Sequence, residues 1–387
     1  MEVKGFQGTD SSKVIRYIRE IEENFKPDLF IIFMPYYHFE NESLEKINSG
    51  LNTPHIIISS VATIKDKYIL YDSIGGVAIK FKKKGYFDIK SLDFISKDIS
   101  ASSLFLKEHL ISEKEGTNLL FSTSSNLAVH KILNSILNFY TDKVRLYGGI
   151  ASSDASDFRT YISVNGKIIK DGFVLLNLYN INSFNTISLG FIPVGTTYRV
   201  TKVKDNKIYA LDDLPMDYFL GNILKNTGIQ IEDLDITKTS QVLWEFPFLF
   251  YDKEGYISHL LVPMMYDKED KGFAFYGEVQ EGSLIKLSTG DSDDILQDVQ
   301  IRAGEFLKII NETGRKPDLI MNISCTARNF LLYSDGASKK EQEIYSSKIG
   351  NFPFTGFLTF GEIGPDRMGK PGKFYNETSI LVGLVER

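Results

Sequence analysis

Three features of the sequence predict an α+β protein: amphipathic helices, short apolar strands that follow them, and a hairpin-rich stretch between about 160 and 290. The expected architecture is two lobes of mixed β-sheets with helices packed on the outer faces and an internal duplication. The lobes are expected to meet near residue 190, giving domains 1–190 and 191–387.

Four helices follow from periodicity. Val14, Ile18, Ile21 and Phe25 recur at three- or four-residue spacing after Asp10-Ser11-Ser12. A weaker pattern covers about 99–111. A third stripe carries Ala128, Val129, Ile132, Leu133, Ile136, Leu137 and Tyr140, with Ser124 to Asn126 as caps. The fourth, about 293–311, turns Ile295, Val299, Ala303, Phe306 and Ile310 inward. Asp291, Asp293, Asp294 and Asp298 crowd its start, where acids suit the positive end of the helix dipole.

Leu29–Phe33, Leu119–Phe121 and Leu319–Ile323 are apolar throughout, as strands covered on both faces are. Asn165-Gly166 and Asp205-Asn206 each divide two strand-like runs and predict hairpins. Lys26-Pro27-Asp28-Leu29 is echoed by Lys316-Pro317-Asp318-Leu319, each between a helix and a buried strand. Strands are expected after Pro54 and Pro353, then over Gly76–Phe81 and Thr378–Val385. The segment of about 99–179 repeats the order helix, strand, helix, strand, strand.

Composition narrows the function classes. At roughly 100–200 residues per domain, 387 residues make two or three domains or one large two-lobed unit. A net charge of -6 gives no attraction to a phosphate backbone, so nucleic acid is not an expected partner. The single cysteine excludes an internal disulfide and a Cys-based zinc site, and no His pair has helical metal-site spacing. No metal or cofactor is expected. There is no leader-like apolar segment and no stretch of about 18 apolar residues, so a cytoplasmic location away from membranes is expected.

Three strand ends carry the candidate chemistry. In Tyr147-Gly148-Gly149-Ile150-Ala151-Ser152-Ser153-Asp154, paired glycines permit close backbone approach and polar residues follow; the alternative is a tight turn in the core. In Asn322-Ile323-Ser324-Cys325-Thr326-Ala327-Arg328, a buried strand runs into polar groups, where open sheets tend to bind ligands. Arg328 suits a ligand carboxylate or Glu362. Cys325 is either a reactive thiolate or a small core residue. In Phe360-Gly361-Glu362-Ile363-Gly364-Pro365, the carboxylate needs a partner, because an unpaired buried charge is costly. Phe275-Tyr276-Gly277-Glu278-Val279 is a near-copy. All three ends are expected to face one cleft, with Arg328 and Glu362 paired. No G-x-S-x-G elbow, P-loop or dinucleotide fingerprint is present.

These motifs, in order, resemble the FIST family. Gly356-Phe357, Phe360 to Pro365 and Asn376-Glu377-Thr378 resemble the end of its C-terminal domain, and Ser324-Cys325-Thr326-Ala327-Arg328 resembles its Ser-Cys-x-x-Arg element. Gly190-Phe191-Ile192-Pro193-Val194-Gly195 with Val200-Thr201 is similar to its G-x-x-P-V-G…V-T strand pair. Gly148-Gly149-Ile150-Ala151 with Asp154 is similar to an element of its N-terminal domain. The chain departs at Ser59-Ser60-Val61-Ala62-Thr63, where the family's G-C-S-T-A-G-E-I loses its Gly, Cys and Glu, and near His259 to Val262, where a frequent Arg is replaced.

The resemblance implies a sensory module of intracellular signalling with an amino acid or related small polar metabolite as ligand. Output passes to a separate signalling protein. The implied ligand residues are Gly148, Gly149, Ser152, Asp154, Cys325, Arg328, Glu362 and Asn376, with Arg328 on a carboxylate and Glu362 or Asp154 on an ammonium. Two alternatives stand beside it: an enzyme using Cys325 as nucleophile or Glu362 as acid–base, and an interaction scaffold whose ligand site has decayed.

Overall fold

The computed structural model describes residues 1–123, 125–137, 143–154, 158–224, 243–366, 369 and 371–387. Ser124 and Tyr140, assigned to the third helix, lie outside the described residues. The predicted α+β class holds, with several mixed sheets and helices packed on them.

The first unit runs β1 (Glu2–Gly8), helix Ser11–Phe25, β2 (Leu29–Met34), helix Glu42–Asn48 and β3 (His55–Ser59). A hairpin, β4 (Ala62–Lys65) and β5 (Tyr68–Tyr71), precedes β6 (Ile74–Lys80). The second unit is β7 (Tyr86–Asp93), helix Ile99–His109, β8 (Gly116–Ser122), helix Asn126–Leu137 and β9 (Leu146–Ile150). It continues with hairpin β10 (Ile162–Val164) and β11 (Lys167–Ile169), then β12 (Gly172–Tyr179). The third opens with β13 (Ile181–Ser188). An insertion follows, whose described strands, β14 to β22, run from Ile192–Pro193 to Leu284–Thr289 and make a sheet of their own. Helix Ser292–Thr313 leads to β23 (Leu319–Cys325). Helices Thr326–Ser334 and Ser338–Ile349, β24 (Phe354–Thr359), hairpin β25 (Gly361–Gly364) and β26 (Lys373–Tyr375), and β27 (Ser379–Glu386) complete the unit.

All three units have one topology. Their strands lie in the orders β1-β6-β2-β3, β7-β12-β8-β9 and β13-β27-β23-β24, with two antiparallel pairings and then a parallel one. The Lys-Pro-Asp-Leu echo is therefore a structural repeat. Asp28 Oδ2 accepts the Phe81 N–H at 2.8 Å, and Asp318 Oδ2 accepts the Glu386 N–H at 2.8 Å. The carbonyls of Pro54 and Pro353 accept the N–H groups of Phe30 and Ile320 at 3.0 and 2.8 Å. Each proline thus starts the parallel strand in the same register.

The hairpins interlock the units cyclically. β10 of the second unit adds to β3 of the first, β4 of the first adds to β24 of the third, and β25 of the third adds to β9 of the second. Each hairpin covers a strand edge that would otherwise be open. Sheet pairing accordingly crosses residue 190: β4, β5 and β13 share a sheet with β23, β24 and β27.

Local signals explain the boundaries. Asp10 caps the first helix by accepting the Lys13 N–H, and Lys26 ends it at φ 51 before Pro27. Asp291 and Asp294 form a capping box on the helix that Gly314 ends at φ 64. Asp298 is not a cap; it accepts from Ser188 Oγ at 2.7 Å and the Leu189 N–H at 2.9 Å. Asn165 and Gly166, at φ 49 and 90, make the expected two-residue hairpin.

Candidate functional site

The cyclic exchange brings the carboxyl ends of β3, β9 and β24 together. The Ser152 N–H donates to Ser59 O at 3.0 Å, and the Phe360 N–H donates to Ile150 O at 3.1 Å. The third link of this ring is made by a side chain. Ser152 Oγ accepts the Val61 N–H at 3.2 Å and donates to Leu358 O at 2.5 Å. Ser59, Ser60, Ser152 and Thr359 are completely buried here.

Beside this ring lies an open cleft of ≈ 320 Å³ to which all three units contribute. Pro35, Tyr36, Tyr37, Val61, Tyr71 and Asp72 come from the first, Ser153 and Asp154 from the second, and Phe330 from the third. Pro35 directly follows β2, and Asp154 follows β9, so this is the strand-end crevice where open sheets bind ligands. Tyr71 donates its hydroxyl hydrogen to Asn329 Oδ1, joining the first unit to the helix that carries Phe330.

The predicted site residues divide between this surface and the interior. Asp154 is exposed and lines the cleft. Gly148 and Gly149 serve packing: at φ 154, a Cβ on Gly148 would stand 1.8 Å from Leu120 O, and one on Gly149 would meet Thr359 Cγ2 at 2.6 Å. Gly149 faces Glu362 across the β9–β25 ladder, so Glu362 sits in a strand rather than in a turn. Its Oε1 accepts from Thr359 Oγ1 at 2.5 Å, and its Oε2 accepts from the Thr378 N–H and Oγ1 at 3.1 and 2.9 Å. Burial pushes the Glu362 carboxyl up to about 8, against these stabilising contacts.

The expected Arg328–Glu362 pair does not form. Arg328 Nε donates to Glu341 Oε1 at 2.9 Å, Nη1 to Leu189 O at 2.7 Å, and Nη2 to Ser188 Oγ at 2.8 Å. The helix Ser338–Ile349 supplies this nearer carboxylate, which sequence spacing did not reveal. Arg328 is fully buried and its donors face these groups, so no guanidinium edge is presented to the cleft. Burial, followed by Glu362 and Glu377, pushes the Cys325 thiol well above its ordinary value. The thiol is therefore neutral and poorly nucleophilic, contrary to a reactive-thiolate reading.

Repeat equivalence explains why one strand end is open and another sealed. Thr63 and Glu362 are each nine residues past their unit's proline. Thr63 meets Ser73 at 2.6 Å, as Glu362 meets Thr378. Asp72 and Glu377 also correspond, both with positive φ, at 47 and 54. In the first unit this position borders the cleft. In the third, the insertion covers it: Asn376 accepts the Val262 N–H at 3.2 Å and donates its own N–H to Leu260 O at 3.1 Å. Glu377 is fully buried there, and neither carboxylate oxygen has a hydrogen bond among the described residues.

Sequence reasoning missed Tyr36, Tyr37, Tyr71, Asp72 and Phe330. The signal for two of them was available, since Pro35-Tyr36-Tyr37 directly follows a fully apolar strand. No group of His, Cys, Asp and Glu that could hold a metal occurs among the described residues. No helix among them is long and apolar enough to cross a membrane.

Comparison with known proteins identifies the family. Residues 28–214 match the FIST N domain and residues 221–365 match the FIST C domain. A protein of Aquifex aeolicus (strain VF5), described as uncharacterized, is 30% identical over 239 residues, which is 58% of this chain and 84% of that protein. The interlocked strand ends thus fall inside two matched domains that together span most of the chain, which belongs to the FIST family, a family associated with sensory roles in signal transduction.

Proposed function

We propose that this chain senses a small polar ligand, an amino acid or related metabolite, in the cleft at the junction of its three units. It then passes the signal to a separate signalling protein in the cytoplasm. One observation carries this reading: the ≈ 320 Å³ cleft is lined by residues from all three units at their strand ends. A ligand there touches three interlocked bodies at once, so its binding energy acts on their relative placement. Asp154 supplies a charge for an ammonium group, as expected from sequence, and Asp72 joins it. Ser152, Gly148 and Gly149 support the cleft from behind, while Cys325, Arg328, Glu362 and Asn376 hold the third unit's buried counterpart.

The enzyme alternative gains no support from the neutral thiol of Cys325. Glu362, fully buried and hydrogen-bonded to Thr359 and Thr378, is an equally poor candidate for exchanging protons with a substrate.

A thermal-shift screen of amino acids and related metabolites tests the proposal. A binder at about 100 times its Kd should raise Tm by on the order of 2–5 °C, and Asp154→Asn or Phe330→Ala should remove the rise. No rise with any compound, or a rise indifferent to both substitutions, overturns the reading.

A further inference from the structure

We propose that the sealed strand end of the third unit is a second binding site, built around Glu377 and Thr326, which takes one small primary ammonium group beneath the insertion. The proposal does not depend on what the open cleft binds.

Strand register carries the comparison between units. Leu29 pairs with Ile79 in the first unit as Leu319 pairs with Leu384 in the third. Seven residues towards the strand ends, Tyr36 and Asp72 therefore stand where Thr326 and Glu377 stand. Tyr36 and Asp72 both line the open cleft. In the third unit the Cys325 N–H donates to Thr378 O at 2.9 Å, which sets Thr326 against Glu377 one position further on. In the second unit Thr117 pairs with Leu178, and the same count reaches Asp171, whose Oδ2 accepts from Ser96 Oγ at 2.5 Å. An acid thus stands at this strand end in every unit. Of the three, Glu377 is the fully buried one, and neither of its carboxylate oxygens has a hydrogen bond among the described residues. Thr326, 3% exposed, keeps an unmet Oγ1 opposite it. Buried polar atoms left without partners are costly, and two sets of them meet here.

Two carboxylate oxygens and one hydroxyl oxygen offer three acceptors, matching the three N–H donors of a primary ammonium. The surrounding charges also call for a cation. Burial pushes the Glu377 carboxyl well above its ordinary value; Arg328 opposes this, while Glu362 and Glu245 add to it. Arg328 sends Nη1 to the Glu377 carbonyl oxygen at 3.4 Å and Nε to Glu341, so it hydrogen-bonds a different carboxylate. The first turn of the helix Thr326–Ser334 favours an ionised acid, yet none of its N–H groups hydrogen-bonds the Glu377 side chain. An ammonium supplies charge and donors together. A divalent ion is a poorer match, because no group of ligating side chains that could hold a metal occurs among the described residues. Asn376, bonded to Leu260 and Val262 of the insertion, closes the site, and a ligand enters when these bonds open.

Isothermal titration of the full-length chain with methylammonium chloride tests this, in two buffers of different ionisation heat and with ammonium and potassium chlorides alongside. At pH 7 methylammonium should bind saturably and release about one proton, because the empty acid is neutral and the filled one ionised. Its Kd should tighten by up to about 10-fold from pH 6 to 7. Glu377→Gln should abolish the proton release and weaken binding by at least about 10-fold, with a Tm no lower than the parent's, since the amide keeps the shape without the charge. Thr326→Val should weaken binding about 3-fold and keep the proton release. Asp72→Asn, in the open cleft, should change neither. No saturable binding, equally tight binding of potassium, or proton release that persists in Glu377→Gln overturns the proposal. Loss of binding in Asp72→Asn instead assigns the amine to the cleft and overturns it too. Each of these outcomes leaves the sensory reading standing.

Discussion

Arg328 and Glu341 form a fully buried ion pair, with Nε 2.9 Å from Oε1, that ties the start of the helix carrying Phe330 to the next helix. The pair replaces the one that sequence motifs pointed to. Arg328 is accordingly a positioning residue: it fixes the helix from which Phe330 reaches the cleft and Asn329 meets Tyr71.

Removing one partner should leave an uncompensated charge in the interior. Arg328→Ala is expected to lower unfolding stability by about 3–5 kcal/mol, measured by urea denaturation. The joint change Arg328→Met with Glu341→Leu should recover most of the loss, because no charge is left stranded. Equal losses in the single and double variants would show that packing, not charge pairing, sets the cost.

Stability should peak between about pH 4.5 and 6.5. The folded pKa of Glu362, about 8, is above its ordinary 4.5, so its contribution is full below 4.5 and is lost as pH rises through 8. Burial, aided by Lys373, holds His130 down to about 3, below its ordinary 6.5. Its contribution is therefore present above 6.5 and lost as pH falls through 3. The fold uses the neutral ring, whose Nδ1 accepts the Glu278 N–H at 3.0 Å. Each group adds a slope of up to about 1.4 kcal/mol per pH unit. Glu362→Gln should flatten the alkaline side in urea titrations taken from pH 4 to 9; an unchanged slope would contradict the assignment.

Cys325 should react slowly. Its side chain is 3% exposed and neutral, so a thiol reagent must wait for an opening of the fold. Modification of the native chain is expected to be at least about 100-fold slower than in denaturant. Comparable rates in the two states would restore the nucleophile reading.

The ring of strand ends depends on one hydroxyl. Ser152→Ala leaves the Val61 N–H and Leu358 O facing each other across the space Oγ filled, and should cost about 2 kcal/mol in the same urea assay. Ser152→Thr keeps the hydroxyl but adds a methyl group at a completely buried site, so it should recover only part of that loss.

The sequence by itself determined the units. Helical stripes, apolar strands, the Lys-Pro-Asp-Leu echo and Asn165-Gly166 are local signals, written by burial, φ preference and missing N–H groups within a few residues. It also marked Asp154 as a polar residue following a strand, but put Glu362 in a turn where the fold has a strand. Only the tertiary structure decided which strand end opens to solvent. Asp72 and Glu377 occupy equivalent positions, yet Asp72 is exposed beside the cleft while Glu377 is fully buried under the insertion. The partners of Arg328 were likewise hidden, because Glu341 and Ser188 lie 13 and 140 residues away and meet it only through packing. Hairpin exchange joins residues as distant as Ser60 and Leu358, and pairing over such separations is set by shape and register in the folded chain, not by any neighbouring residue.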